Sequence, residues 1–206
     1  MILQLLVFML VSVLAWGQPL TITPISDHIA VKVTSFESPT ITQATLSQWA
    51  YPTANAIIDL RDNPGGNLHD ALAFAALFVT DHNLVPIQTS QNAQVMVTRP
   101  PHHPTLPINR LIILINKGTA SAAEAAAHVL AKHPNSIRIG QTTHGKTTIS
   151  TPNKAPNPTP YKALLMAPVT PNIPWQFKPT TDPQHAWLTA LSLANQNAQV
   201  AVKNRP

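Results

Sequence analysis

The chain has 206 residues, of which 44% are hydrophobic and only 10% charged, proportions that exclude a disordered segment and suit one globular domain with a sizeable core. The net charge of +5 comes from 13 basic residues scattered between Lys32 and Arg205, with no run and no interleaved aromatics, so a clustered nucleic-acid-binding surface is excluded. Cysteine is absent, which removes both a disulfide framework and a lipid-anchored cysteine, and 21 prolines imply long irregular connections.

Residues 1–17, MILQLLVFMLVSVLAWG, are apolar and uncharged, and the character changes at Gln18. About 15 apolar residues fall short of the roughly 20 needed to span a bilayer. Ala15-Trp16-Gly17 offers small residues for signal cleavage, although the usual basic residue near the start is missing. The expectation is a signal peptide over 1–17, a catalytic core over 18–206, export to the periplasm or beyond, and no membrane insertion after cleavage.

HIAVKVTSF (28–36) alternates as a strand does, and TQATLSQWA (42–50) reads as a helix. AIIDL (56–60) is a strand of the buried type that ends at the turn RDNPGG, and NLHDALAFAALFV (67–79) fits a helix. VPIQTS and AQVMVT are short strands ahead of the proline-rich loop RPPHHPTLP, and RLIILIN (110–116) is the clearest buried strand. The turn KGTAS leads into the alanine-rich helix AAEAAAHVLAKH, and SIRIG (136–140) is a further strand. YKALLMAPV (161–169) reads as a returning strand, and DPQHAWLTALSLANQ as a closing helix.

Strand–turn–helix therefore occurs three times, at 28–50, 56–79 and 110–132, which defines an α/β architecture in one domain. In such folds the loops leaving the carboxyl ends of parallel strands gather on one edge, so TSF, RDNPGG and KGTAS are candidate site walls. A right-handed crossover lays SIRIG beside RLIILIN in the same direction. Ser121, just past the first of these strands, can then meet Lys146, just past the second. A serine hydroxyl is a poor nucleophile until a base removes its proton. A lysine can act as that base when burial lowers its pKa from about 10.4 towards roughly 7–8. The Ala122 amide, at a helix start, is placed to bind an oxyanion.

GQTTHGKTT (140–148) also spells G-x-x-x-x-G-K-[ST], the phosphate-binding loop. That loop works by opening a helix whose free N–H groups face the phosphates. Here Thr147, Thr148 and Ile149 are poor helix formers, and prolines follow at 152, 156, 158 and 160. Nucleotide binding is disfavoured.

IIDLRDNPGGNLHDALAFAALF, LIILINKGTASAAE and IRIGQTTHGK resemble, in that order, three blocks of the C-terminal processing (tail-specific) serine proteases. The resemblance runs from about residue 28 to about residue 191. It implies a core of the crotonase and Clp type and a serine endopeptidase acting on unstructured or C-terminal polypeptide segments, with no cofactor and no metal. It implies Ser121 as nucleophile, Lys146 as general base, and the amides of Gly66 and Ala122 as the oxyanion hole. Glu124, at the acidic position of the serine block, would support the site, or else be a first-turn carboxylate favoured by the helix dipole.

The chain departs from the family pattern in three places. The glutamine usual four residues after the lysine is Ser150, and the glycine usual after it is Thr147. About ten residues separate the expected cleavage point from the strand at 28, too few for the peptide-binding PDZ module usual in the family. An adaptor or regulatory partner in place of that module is the expectation. The alternative is an inactive peptide-binding scaffold with the same fold.

His144 stands as a rival base, whereas His128, seven helical residues from Ser121, is about 10 Å away. The adjacent His102 and His103 read as solvent-exposed, and Asp59 with Arg61 as a structural ion pair. Glu124 and His128 share a helix face, but no metal-ligand spacing occurs.

Overall fold

The computed structural model describes residues 19–38, 40–49, 54–88, 93–146, 168–177 and 183–203. The expected signal peptide, Ser150, Thr147 and most of the strand read at 161–169 lie outside these.

Twelve elements follow in order among the described residues: β1 (Leu20–Ile25), β2 (His28–Val33), α1 (Ile41–Gln48), β3 (Ala54–Asp59), α2 (Leu68–Ala76), β4 (Asn83–Gln88), β5 (Gln94–Thr98), β6 (Ile108–Ile115), α3 (Ala122–Leu130), β7 (Ser136–Gly140), β8 (Ile173–Pro174) and α4 (Pro183–Lys203). Six strands form one sheet in the order β1-β2-β3-β6-β7-β8. Only β1 runs antiparallel to its neighbour; every other pair is parallel. β4 and β5 form a separate antiparallel hairpin. This is the expected α/β architecture, with β1 and β8 added at the two edges.

Alternation along the central strands sorts side chains to two faces. Ala56, Ile58, Leu111, Ile113 and Ile115 pack with α2 and α3, whereas Ile57, Ile112, Leu114 and Ile139 pack against Trp187, Ala190 and Ala194 of α4. Strands covered on both faces favour apolar residues on both, which is why β3 and β6 carry continuous hydrophobic runs at 56–58 and 111–115. Eight of the nine α3 residues are buried, five of them alanines, so small side chains let this helix lie close to both α2 and the sheet. α2 begins where Asn67 caps it, its Oδ1 accepting from the His69 and Asp70 amides at 2.8 and 3.3 Å.

Gly140 closes β7 at φ +135°, and a Cβ there would stand 1.9 Å from the Ile115 carbonyl oxygen of β6. No other residue fits that contact.

Candidate active site

The loops leaving β2, β3, β6 and β7 meet at the carboxyl edge of the sheet and are joined by specific hydrogen bonds. The Thr119 hydroxyl donates to the Leu60 carbonyl at 2.8 Å, tying the loop after β6 to that after β3. Asp62, at φ +61°, and Asn116 exchange two bonds across the same gap, at 2.9 Å from the Asp62 amide and 2.8 Å from Asn116 Nδ2. Phe36, beyond β2, donates to Gly65 O at 2.7 Å and accepts from the Asn67 amide at 2.8 Å, forming a parallel bridge with Gly66.

Ser121 sits at the strand-to-helix turn with φ +57° and ψ −123°. A non-glycine residue there stores about 1–3 kcal/mol of backbone strain, which persists only where neighbours hold it. Two do. The Ala120 amide donates to Asn63 O at 3.0 Å, and the Ser121 amide to Glu124 Oε2 at 3.0 Å. Ser121 is 6% exposed, more enclosed than the open helix start its sequence position suggests.

Gly65 lies directly against this turn. A Cβ on it would come within 2.9 Å of Ala120 O, Ala122 N and Ser121 Cβ. Gly66, at φ +124°, is pressed as closely on Phe36, where a Cβ would stand 2.5 Å from the carbonyl carbon. Among the described residues, neither the Gly66 nor the Ala122 amide donates a hydrogen bond to the rest of the chain.

Glu124 is 1% exposed, and both carboxylate oxygens are fully engaged. Oε1 accepts from the Thr143 hydroxyl at 2.6 Å and the Gly145 amide at 2.7 Å. Oε2 accepts from the amides of Ser121 at 3.0 Å and Lys146 at 2.8 Å. One carboxylate thus fastens the Ser121 turn to the loop bearing Lys146, a role beyond that of a helix-dipole charge. Thr143 in turn exchanges bonds with Val169, from its amide at 3.1 Å and to its hydroxyl at 2.8 Å.

Lys146 is exposed, and its side chain is not hydrogen-bonded to that of Ser121. Topology brings the two residues to one edge through a shared carboxylate, with Lys146 exposed instead of buried. His144 is also exposed, its amide held by Thr119 O at 3.0 Å, and His128 is half-buried in the last turn of α3.

The amides a phosphate-binding loop would aim at its ligand are already used. Those of Gln141, Thr143 and His144 donate to Ile115, Val169 and Thr119 carbonyls, and those of Gly145 and Lys146 to Glu124. A carboxylate from within the chain occupies the place where a phosphate would sit.

On the α4 face, Asp59 and Arg61 form the expected ion pair. Arg61 donates to the fully buried Asp59 carboxylate through Nε at 2.9 Å and a terminal nitrogen at 2.6 Å, joined by Trp187 Nε1 at 3.0 Å. Lys32 Nζ stands 3.5 Å from the same group, and the Arg61 guanidinium lies 4.6 Å over the Phe177 ring. Burial opposes ionisation of Asp59 more than any other single influence. The Arg61 hydrogen bonds, the Lys32 and Arg61 charges and the Trp187 bond together outweigh it and hold the carboxyl below its usual value.

The fold is of the mixed α/β class, with a serine on a strained strand–helix turn, two amides beside it that have no partner among the described residues, and a lysine-bearing loop moored by a buried glutamate. Residues 29–184 match the profile of Peptidase family S41, and the chain belongs to that family. It is 31% identical over 159 residues to the carboxy-terminal processing protease CtpA of Bacillus subtilis (strain 168), covering 75% of this chain and 34% of that protein. To the tail-specific protease of Haemophilus influenzae it is 34% identical over 93 residues, 45% of this chain and 13% of that one. The chain spans about a third or less of the length of these relatives. Among solved structures, the photosystem II D1 C-terminal processing protease superposes with TM-score 0.60 at 22% identity, covering 79% of this chain and 49% of that one. A Bacteroides fragilis protein assigned as an S41 protease gives 0.64 at 16% identity, with 90% and 59% covered. These likenesses show the mixed α/β fold with its mostly parallel sheet.

Proposed function

We propose that the chain is a serine endopeptidase that cuts unstructured or C-terminal polypeptide segments with Ser121 as nucleophile and Lys146 as base. The observation that carries the reading is the Glu124 carboxylate, which holds the Ser121 amide and the Gly145 and Lys146 amides at one point. An anchor common to nucleophile turn and base loop has an evident use only if the two must act together.

In this reading Ser121 Oγ attacks the peptide carbonyl carbon while its proton passes to Lys146 Nζ. The carbonyl oxygen, now an oxyanion, takes the Gly66 and Ala122 amides, a contribution of about 3–4 kcal/mol per donor in comparable sites. Collapse of the tetrahedral adduct breaks the C–N bond, and the proton leaves Nζ for the departing amine. Water then attacks the acyl-serine with Lys146 again as proton acceptor, releasing the acid and restoring Ser121. The trans, planar peptide between Gly65 and Gly66 supports the oxyanion assignment: its carbonyl is bonded to Phe36, so its N–H is directed away from Phe36. A bound polypeptide covers the edge where Lys146 is exposed, and removal of water favours the neutral amine a base requires. The segment is read as bound by strand addition, with an adaptor or regulatory protein selecting it, and the chain as an exported one.

The exposed Lys146, whose side chain has no partner among the described residues, favours a second reading, a peptide-binding scaffold without turnover. Incubation with an unfolded polypeptide and mass spectrometry of the products separates the two. The parent cleaves, whereas Ser121→Ala, Lys146→Ala and Lys146→Arg do not, guanidinium being too weak a base, and His144→Ala retains activity. Intact substrate with the parent leaves the scaffold reading. Cleavage by folded Ser121→Ala overturns the serine-peptidase reading.

A further inference from the structure

Asn63 is completely buried, yet it is neither a nucleophile nor a base, and besides the bond of its amide to Leu60 O, three of its polar groups reach its own turn, the loop after β6 and the end of β2. Its Oδ1 accepts from the Gly65 amide at 2.9 Å, bending the turn after β3 back on itself. Its main-chain oxygen accepts from the Ala120 amide at 3.0 Å, one residue before the strained Ser121. Its Nδ2 donates to the Val33 carbonyl at 3.0 Å, at the end of β2.

From these bonds, and on the serine-peptidase reading above, we infer that Asn63 is a positioning residue that sets the separation of the two oxyanion-binding amides. Gly65 is one residue before Gly66 and Ala120 two before Ala122, so each amide of the pair lies within two residues of an Asn63 bond. The bond to Val33 fixes the assembly to a strand of the sheet; three bonds in different directions leave the side chain no free rotation. Close packing makes the arrangement intolerant of drift, since Gly65 has no room for a Cβ against Ala122 N and Gly66 none against Phe36. Two amides that must converge on one oxygen lose about 10²-fold in rate when displaced by roughly 1 Å.

The side-chain arms can be removed separately. Asn63→Ala loses both and keeps the main-chain arm, while Asn63→Asp keeps the acceptor for Gly65 and loses the donor to Val33. The parent, both variants and Ser121→Ala are assayed on a fluorogenic peptide built from a cleavage site mapped with the parent. Each is then titrated with the corresponding peptide boronic acid, whose tetrahedral serine adduct places an oxygen between the amides. Asn63→Ala is expected to lose about 10²-fold in kcat with KM within about threefold, and to lose boronic acid affinity in proportion to kcat/KM. Asn63→Asp falls between it and the parent. A purely structural role would lower the melting temperature and leave kcat per folded molecule and boronic acid affinity unchanged, which overturns the inference. A rise in KM alone overturns it equally. If Asn63→Ala does not fold by circular dichroism, Asn63→Asp and Asn63→Ser carry the same test. A parent that neither cleaves nor binds the boronic acid fails the peptidase reading and the inference together; a competent parent whose variants match it fails the inference alone.

Discussion

Asp59 and Glu124 are both carboxylates buried at the carboxyl edge of the sheet, and both are fully hydrogen-bonded, but with the balance of side-chain and main-chain partners reversed. Asp59 is met chiefly by side chains, the guanidinium of Arg61, the indole of Trp187 and the ammonium of Lys32, with one main-chain amide, that of Arg61, at 3.1 Å. Glu124 is met by three main-chain amides and one threonine hydroxyl. A charge matched by side chains decides where whole elements dock, here α4 through Trp187. A charge matched by amides decides the path of the backbone itself, here the two loops that carry Ser121 and Lys146. The first kind of site is built for stability and the second for alignment.

That contrast can be broken by experiment. Asp59→Ala strands Arg61 without its counter-charge and should cost about 3–5 kcal/mol in denaturant unfolding, the largest effect expected, while folded molecules keep more activity than the glutamate variant does. Glu124→Gln puts an NH₂ where an amide already donates. It should lower kcat about 10²-fold, near 2.7 kcal/mol of barrier, with a smaller stability loss. If it instead unfolds the chain at full specific activity, the distinction between the two carboxylates fails. Trp187→Phe keeps most of the buried ring and loses one bond to a charged acceptor, so about 1.5–3 kcal/mol of stability and no change in kcat are expected from melting and rate measurements.

The smallest effect concerns acid. Because the folded Asp59 carboxyl is held below its usual value of 3.8, the unfolded chain binds its proton more readily and stability rises with pH in that range. The contribution is complete above about pH 4 and is lost as pH falls through the lowered value. Stability measured against pH in Asp59→Asn should therefore be flatter than in the parent at the acid end.

Much of this was legible in the residues. The continuous apolar runs of β3 and β6 and the alanine-rich α3 declared themselves by pattern, and parallel crossover alone placed Ser121 and Lys146 on one edge. β1 was hidden because LTITPI mixes polar residues and a proline, at an edge where half-exposure is tolerated. β8 has two residues and no periodicity to detect. At the site, residue types named the nucleophile and base candidates, but the partners of Glu124 depend on which way three loop N–H groups and one threonine hydroxyl point. Asn63 looked like part of a turn for the same reason, its bonds all being made to main-chain groups, which have no side-chain signature. Lys146, expected in a buried setting, is exposed in the free chain because no described side chain covers it.

Gly140 carries a consequence for how such chains are found by pattern scanning. It is a glycine because the Ile115 carbonyl leaves no space for a Cβ, and Gly145 is one because the chain turns at φ +81° against Pro168. Each is required by its own local contact, and the loop between them happens to be four residues long. A lysine, Lys146, follows. Together they write the spelling of a nucleotide-binding loop without any selection for nucleotide, so a scan for that spelling will return relatives of this fold wherever those contacts recur. The discriminating observation is which acceptor the loop amides face: an external phosphate, or a glutamate three residues beyond a serine on the neighbouring strand-to-helix turn.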